Sequence, residues 1–588
     1  MRFANVKSEA AIVNKQSLSR SAWYARLPMF VAGAVLFVGI AGPAGAQTNP
    51  GSASAAGSSG AGVSSPVVKA MLAELDRSKN QLQMENIARP YYIEYRVTDI
   101  DEYDADAAFG AVRQEQHAHI RMVRATVRIG DYKQDSYFGR GGGGIVMAMP
   151  LGDDVLALRH ALWLATDSAY KEAGESLAQK QAMLKQFTTT DPVDDFARAT
   201  PMQASLSLVH LNADTAKTDH MLAAATALYR EDPEIQSLGA TARFSAVNDY
   251  YVNSEGTVTS SGQSLYLISL LGTTQAADGM RLDRSPYTLV PTSAELPTEE
   301  KLVSDTRQMI ATLKLLRDAP VVEEEYRGPV LISPDAADDV VASLIGDNVL
   351  GRKPGPGRGG RTVGSFTSNY KSRVLPPFVS VTDDPTLREF DHLGLIGAYS
   401  FDDEGVKVAP IDLVEKGQLV NFLTSRQPIL DFPASNGHGR ASAGGPAQPY
   451  YGVLELKGTE ASSAQELKQK LIQMCKDQGK EYGYRVETLG GLTSPRLLYR
   501  VWVKDGHEEL VRGAVLNELD VRGLRGDLVA VGNDPLASNR IGGIPASVIS
   551  PSLLFDELEL RRDDRAKAKL PEYPAPPISS PVRTAAQR

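Results

Sequence analysis

Runs in which apolar and polar residues alternate recur along this chain, and they are not interleaved with helices in the regular order that a parallel βαβ sheet needs. Tyr91, Ile93, Tyr95 and Val97 alternate with Tyr92, Glu94, Arg96 and Thr98, which predicts a half-buried strand. Residues 122–129 repeat the pattern less cleanly. Tyr250-Tyr251-Val252, then Asn253-Ser254-Glu255-Gly256, then a run ending at 265–271 predict a hairpin. Between these strands Val155, Leu158, Leu162, Ala165, Ala169, Ala173 and Leu177 recur at helical spacing, behind Asp153 or Asp154 as a cap. Helices mixed with mainly antiparallel strands define an α+β fold.

At 588 residues the chain is too long for one core, so two domains are expected. A predicted helix over 299–317 runs into Pro320 and the acidic Glu323-Glu324-Glu325, which sets the boundary between 66–319 and 320–562. The second domain opens with a short strand, 329–332, and a helix starting at Pro334-Asp335 whose apolar face includes Ala337, Val341, Leu344 and Ile345. Short strands follow, interrupted by a helix over 463–476 with a capping box at Ser463 and Glu466. Cys475 is the only cysteine, so no intrachain disulfide can form; on the apolar face with Leu467, Leu471 and Met474 it reads as a core residue.

The ends read differently. Residues 1–26 carry Arg2, Lys7, Lys15, Arg20 and Arg26 against Glu9; an apolar run over 27–40 and then Ala44-Gly45-Ala46 follow. This order predicts a signal peptide over 1–46, with an uncleaved anchor as the alternative. Export to the periplasm or the medium follows, with no membrane span left after cleavage. Residues 47–65, rich in Gly, Ser and Ala, read as a linker, and 563–588 as a Pro-rich tail. The net charge of −9 becomes more negative when the basic leader is removed, which argues against nucleic acid as a partner.

Several motifs fall short of a site. Gly355 to Thr362 nearly matches a P-loop, but Arg361 replaces the lysine and no clear helix follows. The surrounding basic stretch, with Arg352, Lys353, Arg358, Arg361, Lys371 and Arg373, reads as a solvated loop or as an attractor of carboxylates. His117 and His119 share one side of a strand and read as surface residues rather than a metal pair.

One constellation goes further. Phe401-Asp402-Asp403-Glu404-Gly405-Val406, then Leu413-Val414-Glu415-Lys416-Gly417-Gln418-Leu419, is similar to the most recognisable stretch of the TldD/PmbA family. Tyr251-Val252-Asn253-Ser254-Glu255-Gly256, the 161–167 helix segment and Leu510-Val511-Arg512-Gly513-Ala514 agree with it in order along the chain. The resemblance implies a two-domain metallopeptidase-like fold, with zinc held in catalytic members by His-Glu-x-x-x-His on the helix after the first C-terminal strand. Here those positions fall on Ala342, Ser343 and Asp347, which supply neither two imidazoles nor a carboxylate base. The late cysteine of those members has no counterpart. The departure resembles the non-catalytic PmbA-like branch, so no catalytic residue and no resident cofactor are expected. The implied partners are a second copy or a catalytic TldD-like subunit, and an extended or unfolded peptide. Asp347, His438 and Arg440 are the candidate substrate-binding residues. An active metallopeptidase with an atypical metal set at Asp347 and His438, and an envelope binding module, stand as alternatives.

Overall fold

The computed structural model describes residues 65–137, 144–187, 193–355, 359–517 and 519–563. The signal peptide, all but the last residue of the linker, and the tail beyond Asp563 lie outside the described residues.

An eight-stranded sheet organises the first half. Helix α1 (Pro66–Gln81) leads into β1 (Pro90–Ala108) and β2 (Ala111–Ile129), then β3 (Gly144–Ala148) and the long helix α2 (Val155–Leu184). The short β4 (Gln203–Ser205) and α3 (Thr215–Thr226) precede β5 (Ser237–Asn253), β6 (Val258–Gln275), β7 (Arg281–Arg284), β8 (Tyr287–Val290) and α4 (Glu299–Asp318). The strand order is β3-β2-β1-β5-β6-β4, with β7 and β8 also on β6. Asp154 caps α2 by accepting the Leu156 N–H at 2.9 Å. The expected 249–271 hairpin is the end of the longer β5–β6 pair, and the Asn253 side chain accepts the Glu255 and Thr257 N–H groups across its turn.

The helices cover one face of this sheet. Ile93, Tyr95 and Val97 of β1 and Val123, Ala125 and Val127 of β2 pack with Leu158, Leu162 and Ala165 of α2. Further along, Tyr103 and Phe244 pack with Leu222 of α3 and Leu313 of α4. The other face of β1 differs from expectation. Tyr92, Arg96 and Thr98, the polar half of the alternation, are buried as well, because loops of the second half lie over them. The strand is buried on both sides rather than half-buried.

The second half starts with β9 (Tyr326–Ile332) and α5 (Pro334–Leu344). β9 sits inside another eight-stranded sheet, between the strands at Leu553–Arg562 and Tyr482–Leu489. A six-stranded sheet built around Val379–Asp383 and Val453–Gly458 shares one apolar core with it, and α5 is embedded in that core through Ala336, Ala337, Val340 and Val341. Helix α6 (Ala464–Asp477), with the expected capping box, packs Leu467, Leu471 and Cys475 against Leu331 and Leu554. Burial pushes the Cys475 thiol up to about 11, as suits a core residue rather than a nucleophile. Most strand pairs are antiparallel, and the fold is α+β.

Leu162 is fully buried between α2 and the first sheet. Leu162→Ala is expected to lower unfolding stability by about 2–5 kcal/mol, measured by denaturant titration.

Candidate functional site

Helix α5 carries the positions on which zinc ligands were expected by resemblance. Ser333 precedes it and Pro334 occupies its first turn, the usual way to begin a helix after a strand. Its buried face includes Ala342, whose methyl lies in the shared core. Ser343 is half-buried, and Asp347 is exposed on the single turn at Gly346–Asn348. A methyl in an apolar core cannot hold a metal, so the donor set here does not fit zinc. Among the described residues, no three His, Cys, Asp or Glu side chains converge as a metal site.

His438 is elsewhere. It is fully buried, with Nε2 2.8 Å from Asp383 Oδ2 and Nδ1 3.0 Å from Asn436 Oδ1. The Asp383 carboxylate also accepts the Gly452 N–H. Both ring nitrogens of His438 therefore face protein oxygens. Arg440 is likewise committed: its Nε lies 3.3 Å from Asp403 Oδ2, and its guanidinium sits 4.0 Å over the Tyr399 ring. No interaction joins Asp347 to His438 among the described residues, so the structure does not bring that pair together.

The basic stretch is partly occupied too. Lys353 donates to Asp195 and to the carbonyls of Val193 and Asp194, and Arg361 pairs with Asp431. Residues 356–358 lie outside the described residues. His119 sits 2.6 Å from Asp99, while His117 lies against the Tyr103 ring.

What the two halves do bring together is a buried polar cluster that sequence reasoning missed. Arg426 has no exposed surface. Its guanidinium donates to the Ala197 carbonyl at 2.8 and 3.0 Å and to the Tyr92 hydroxyl at 3.1 Å, and it pairs with Glu255 at 2.7 Å. Its backbone N–H donates to Glu404 Oε2 at 2.7 Å. Tyr92 and Tyr251 both donate to Glu94, at 2.8 and 2.9 Å. Next to Glu404, Asp402 accepts the N–H groups of Glu404, Val406 and Gly439. Gly439 is required by this crowding: a Cβ there would lie 2.2 Å from Glu404 Oε2. The Asp402–Gly405 segment is the turn expected from sequence, with Gly405 at φ 72°. Its carboxylates point inward, which a turn motif does not reveal.

The carboxylates divide by environment. Burial pushes Glu404 up to about 7, with the Arg426 charge working against it, and burial with Asp403 nearby pushes Asp249 up to about 6. Asp402 is raised well above the carboxylate range by burial and by Glu404. Beside α5, burial raises Asp338 to about 7 despite its 3.1 Å pair with Arg540. Glu94 goes the other way: burial opposes its charge, but Arg128 and the two tyrosine hydroxyls outweigh it. The donors and acceptors of the cluster are turned on one another, and through Arg426 they join the two halves.

The fold has known counterparts. It is similar to TldE from Thermococcus kodakarensis (TM-score 0.54, 12% identity, covering 84% of this chain and 99% of that one). It is also similar to a proposed modulator of DNA gyrase from Thermotoga maritima (0.54, 17%, 80% and 96%) and to one from Bacteroides thetaiotaomicron (0.54, 15%, 84% and 98%). A protein of Archaeoglobus fulgidus named a metalloprotease is 29% identical over 195 residues, a match covering 31% of this chain and only 42% of that protein. The fold is thus of the TldD/TldE type. Residues 325–562 match the PmbA/TldA metallopeptidase C-terminal domain.

The raised carboxylates set the pH response. Their folded values exceed the unfolded ones, so the stability they contribute is present below about pH 4 and lost as pH rises through about 6 to 7. The unfolding midpoint is expected to fall between pH 5 and pH 8, and Glu404→Gln to flatten that slope by roughly 2 kcal/mol at pH 8, read by thermal melts across pH. Gly439→Ala is expected to destabilise by about 1–3 kcal/mol, because backbone and buried carboxylates must separate.

Proposed function

We propose that this chain is an exported, non-hydrolytic member of the TldD/PmbA group that binds extended or unfolded peptide and works as a dimer, with itself or with a catalytic TldD-like subunit. The observation that carries this reading is on α5. Where the resemblance places a zinc-binding imidazole, the chain has the Ala342 methyl, buried in the core, and where it places the general base it has Ser343. The likeness to TldE supports a subunit role, and the relative named a metalloprotease supports a connection with proteolysis. The basic, apolar and small-residue order of residues 1–46 supports export.

Cleavage through an atypical metal set at Asp347 and His438 is the weaker reading. His438 has both nitrogens turned to protein oxygens, and Asp347 alone is a poor cation site. In the favoured reading the chain shapes a peptide-binding chamber while another subunit supplies the metal.

Purification of the chain from its own cells, with metal analysis of whatever accompanies it, tests this. The expected result is no stoichiometric zinc on the isolated chain and no chelator-sensitive cleavage of an unfolded peptide. Zinc bound one to one, with cleavage abolished by chelator, would overturn the proposal.

A further inference from the structure

A cavity of about 220 Å³ lies in the second half, between part of the basic stretch that follows α5 and the short helix α7 (Val521–Gly526). On the α7 side stand Arg522 and Arg525, three residues apart and so on one face of the helix. Both are exposed, and among the described residues neither side chain makes a hydrogen bond or an ion pair. The buried and half-buried Arg426, Arg440, Arg485 and Arg540 all meet acids. On the other side are Ser365 and Asn369, whose hydroxyl and amide are equally uncommitted. No carboxylate lines the cavity. Asp520 is taken up by the Arg522 and Gly523 N–H groups at 2.8 and 3.1 Å, and Asp527, at the far end of α7, has Asp520, Asp556, Glu557 and Arg327 as its charged neighbours.

The walls are fixed. Asn348, just past α5, donates to the Leu344 carbonyl at 3.1 Å and accepts the Ser365 N–H at 2.7 Å, which ties the loop to the end of the helix. Phe366 and Val374 belong to the core shared by the two sheets, and Val521 packs against it. Lys371 and Arg373, in the same loop, are exposed and pair with no acid among the described residues. In a chain of net charge −9 this is a local excess of positive charge.

Size and lining narrow the ligand. Sites for drug-sized molecules begin at about 300 Å³, so this cavity takes a smaller group. Two guanidiniums suit a planar carboxylate, which either can meet with paired N–H groups. The apolar wall of Phe366, Val374 and Val521 asks for an apolar group beside the charge; a bare phosphate would turn charged oxygens onto it. The last residue of a peptide carries both groups on one Cα.

We propose that this cavity binds the C-terminal residue of an extended peptide. Arg522 and Arg525 hold the carboxylate, Ser365 and Asn369 donate beside them, and the apolar wall takes the side chain. The assignment rests on the proposed peptide binding and names the part of the peptide that is recognised.

Calorimetric titration of the full chain tests it. The probes are an unfolded peptide ending in leucine, as free acid and as C-terminal amide, together with N-acetyl-leucine and inorganic phosphate. The free-acid peptide is expected to bind about tenfold tighter than the amide, and the preference to shrink at high salt. Arg522→Ala with Arg525→Ala is expected to erase the preference and to leave amide affinity and melting temperature unchanged, since both side chains are exposed and unpaired. N-acetyl-leucine is expected to bind more tightly than phosphate. Equal binding of the two peptides, indifferent to the double substitution, overturns the cavity assignment and leaves peptide binding standing. N-acetyl-leucine held through the two arginines while neither peptide binds supports the carboxylate site and overturns the peptide reading beneath it. Phosphate held as tightly as N-acetyl-leucine, or no probe responding to the double substitution, overturns the proposal.

Discussion

The joint around Arg426 holds the two halves in one arrangement. A guanidinium with no exposed surface is tolerated only when its donors and its charge are answered, and here the answers come from four separate stretches of chain: the Ala197 carbonyl, Tyr92 on β1, Glu255 in the β5–β6 turn, and Glu404 through the backbone. The Ala197 N–H donates back to the Arg426 carbonyl, which closes the contact in both directions. Moving either half would take the buried Arg426 cation away from Ala197, Tyr92 and Glu255 together. Such a network contributes little net stability against an apolar alternative, but it permits only one docking.

This explains both what was legible in the sequence and what was not. The alternation at 91–98 correctly marked a strand with Ile93, Tyr95 and Val97 in a core. It could not show that Tyr92, Arg96 and Thr98 are buried too, because a polar face pressed against another part of the chain has the same period as one facing water. The composition held a hint: Tyr92, Glu94 and Arg96 combine an aromatic with opposite charges, more than a plain solvated face needs. Helices α2, α4, α5 and α6 were legible because long apolar stripes and caps are local signals. Arg426 and Glu404 were not, since their roles depend on partners hundreds of residues away or on the inward side of a turn.

The candidate residues divide in the same way. Ala342, Ser343 and Asp347 were located by their place on a helix, and the helix is where expected. His438 and Arg440 were located by a motif alone, and their side chains serve Asp383 and Asp403 instead of an open cleft. A glycine-flanked His-Arg pair marks close packing as readily as it marks chemistry, and Gly439, with two carboxylates against its Cα, shows why the spacing is needed.

Helix α5 is seated by its apolar face. Its core face, Ala336, Ala337, Val340, Val341 and Leu344, is what seats it between the two sheets of the second half. That face is independent of whether the neighbouring positions carry imidazoles. The Ala342 methyl, at a position where the resemblance puts an imidazole, lies in that core and adds to its packing. Asp338, buried, and Asp339, half-buried, are both held by Arg540 one turn before Ala342.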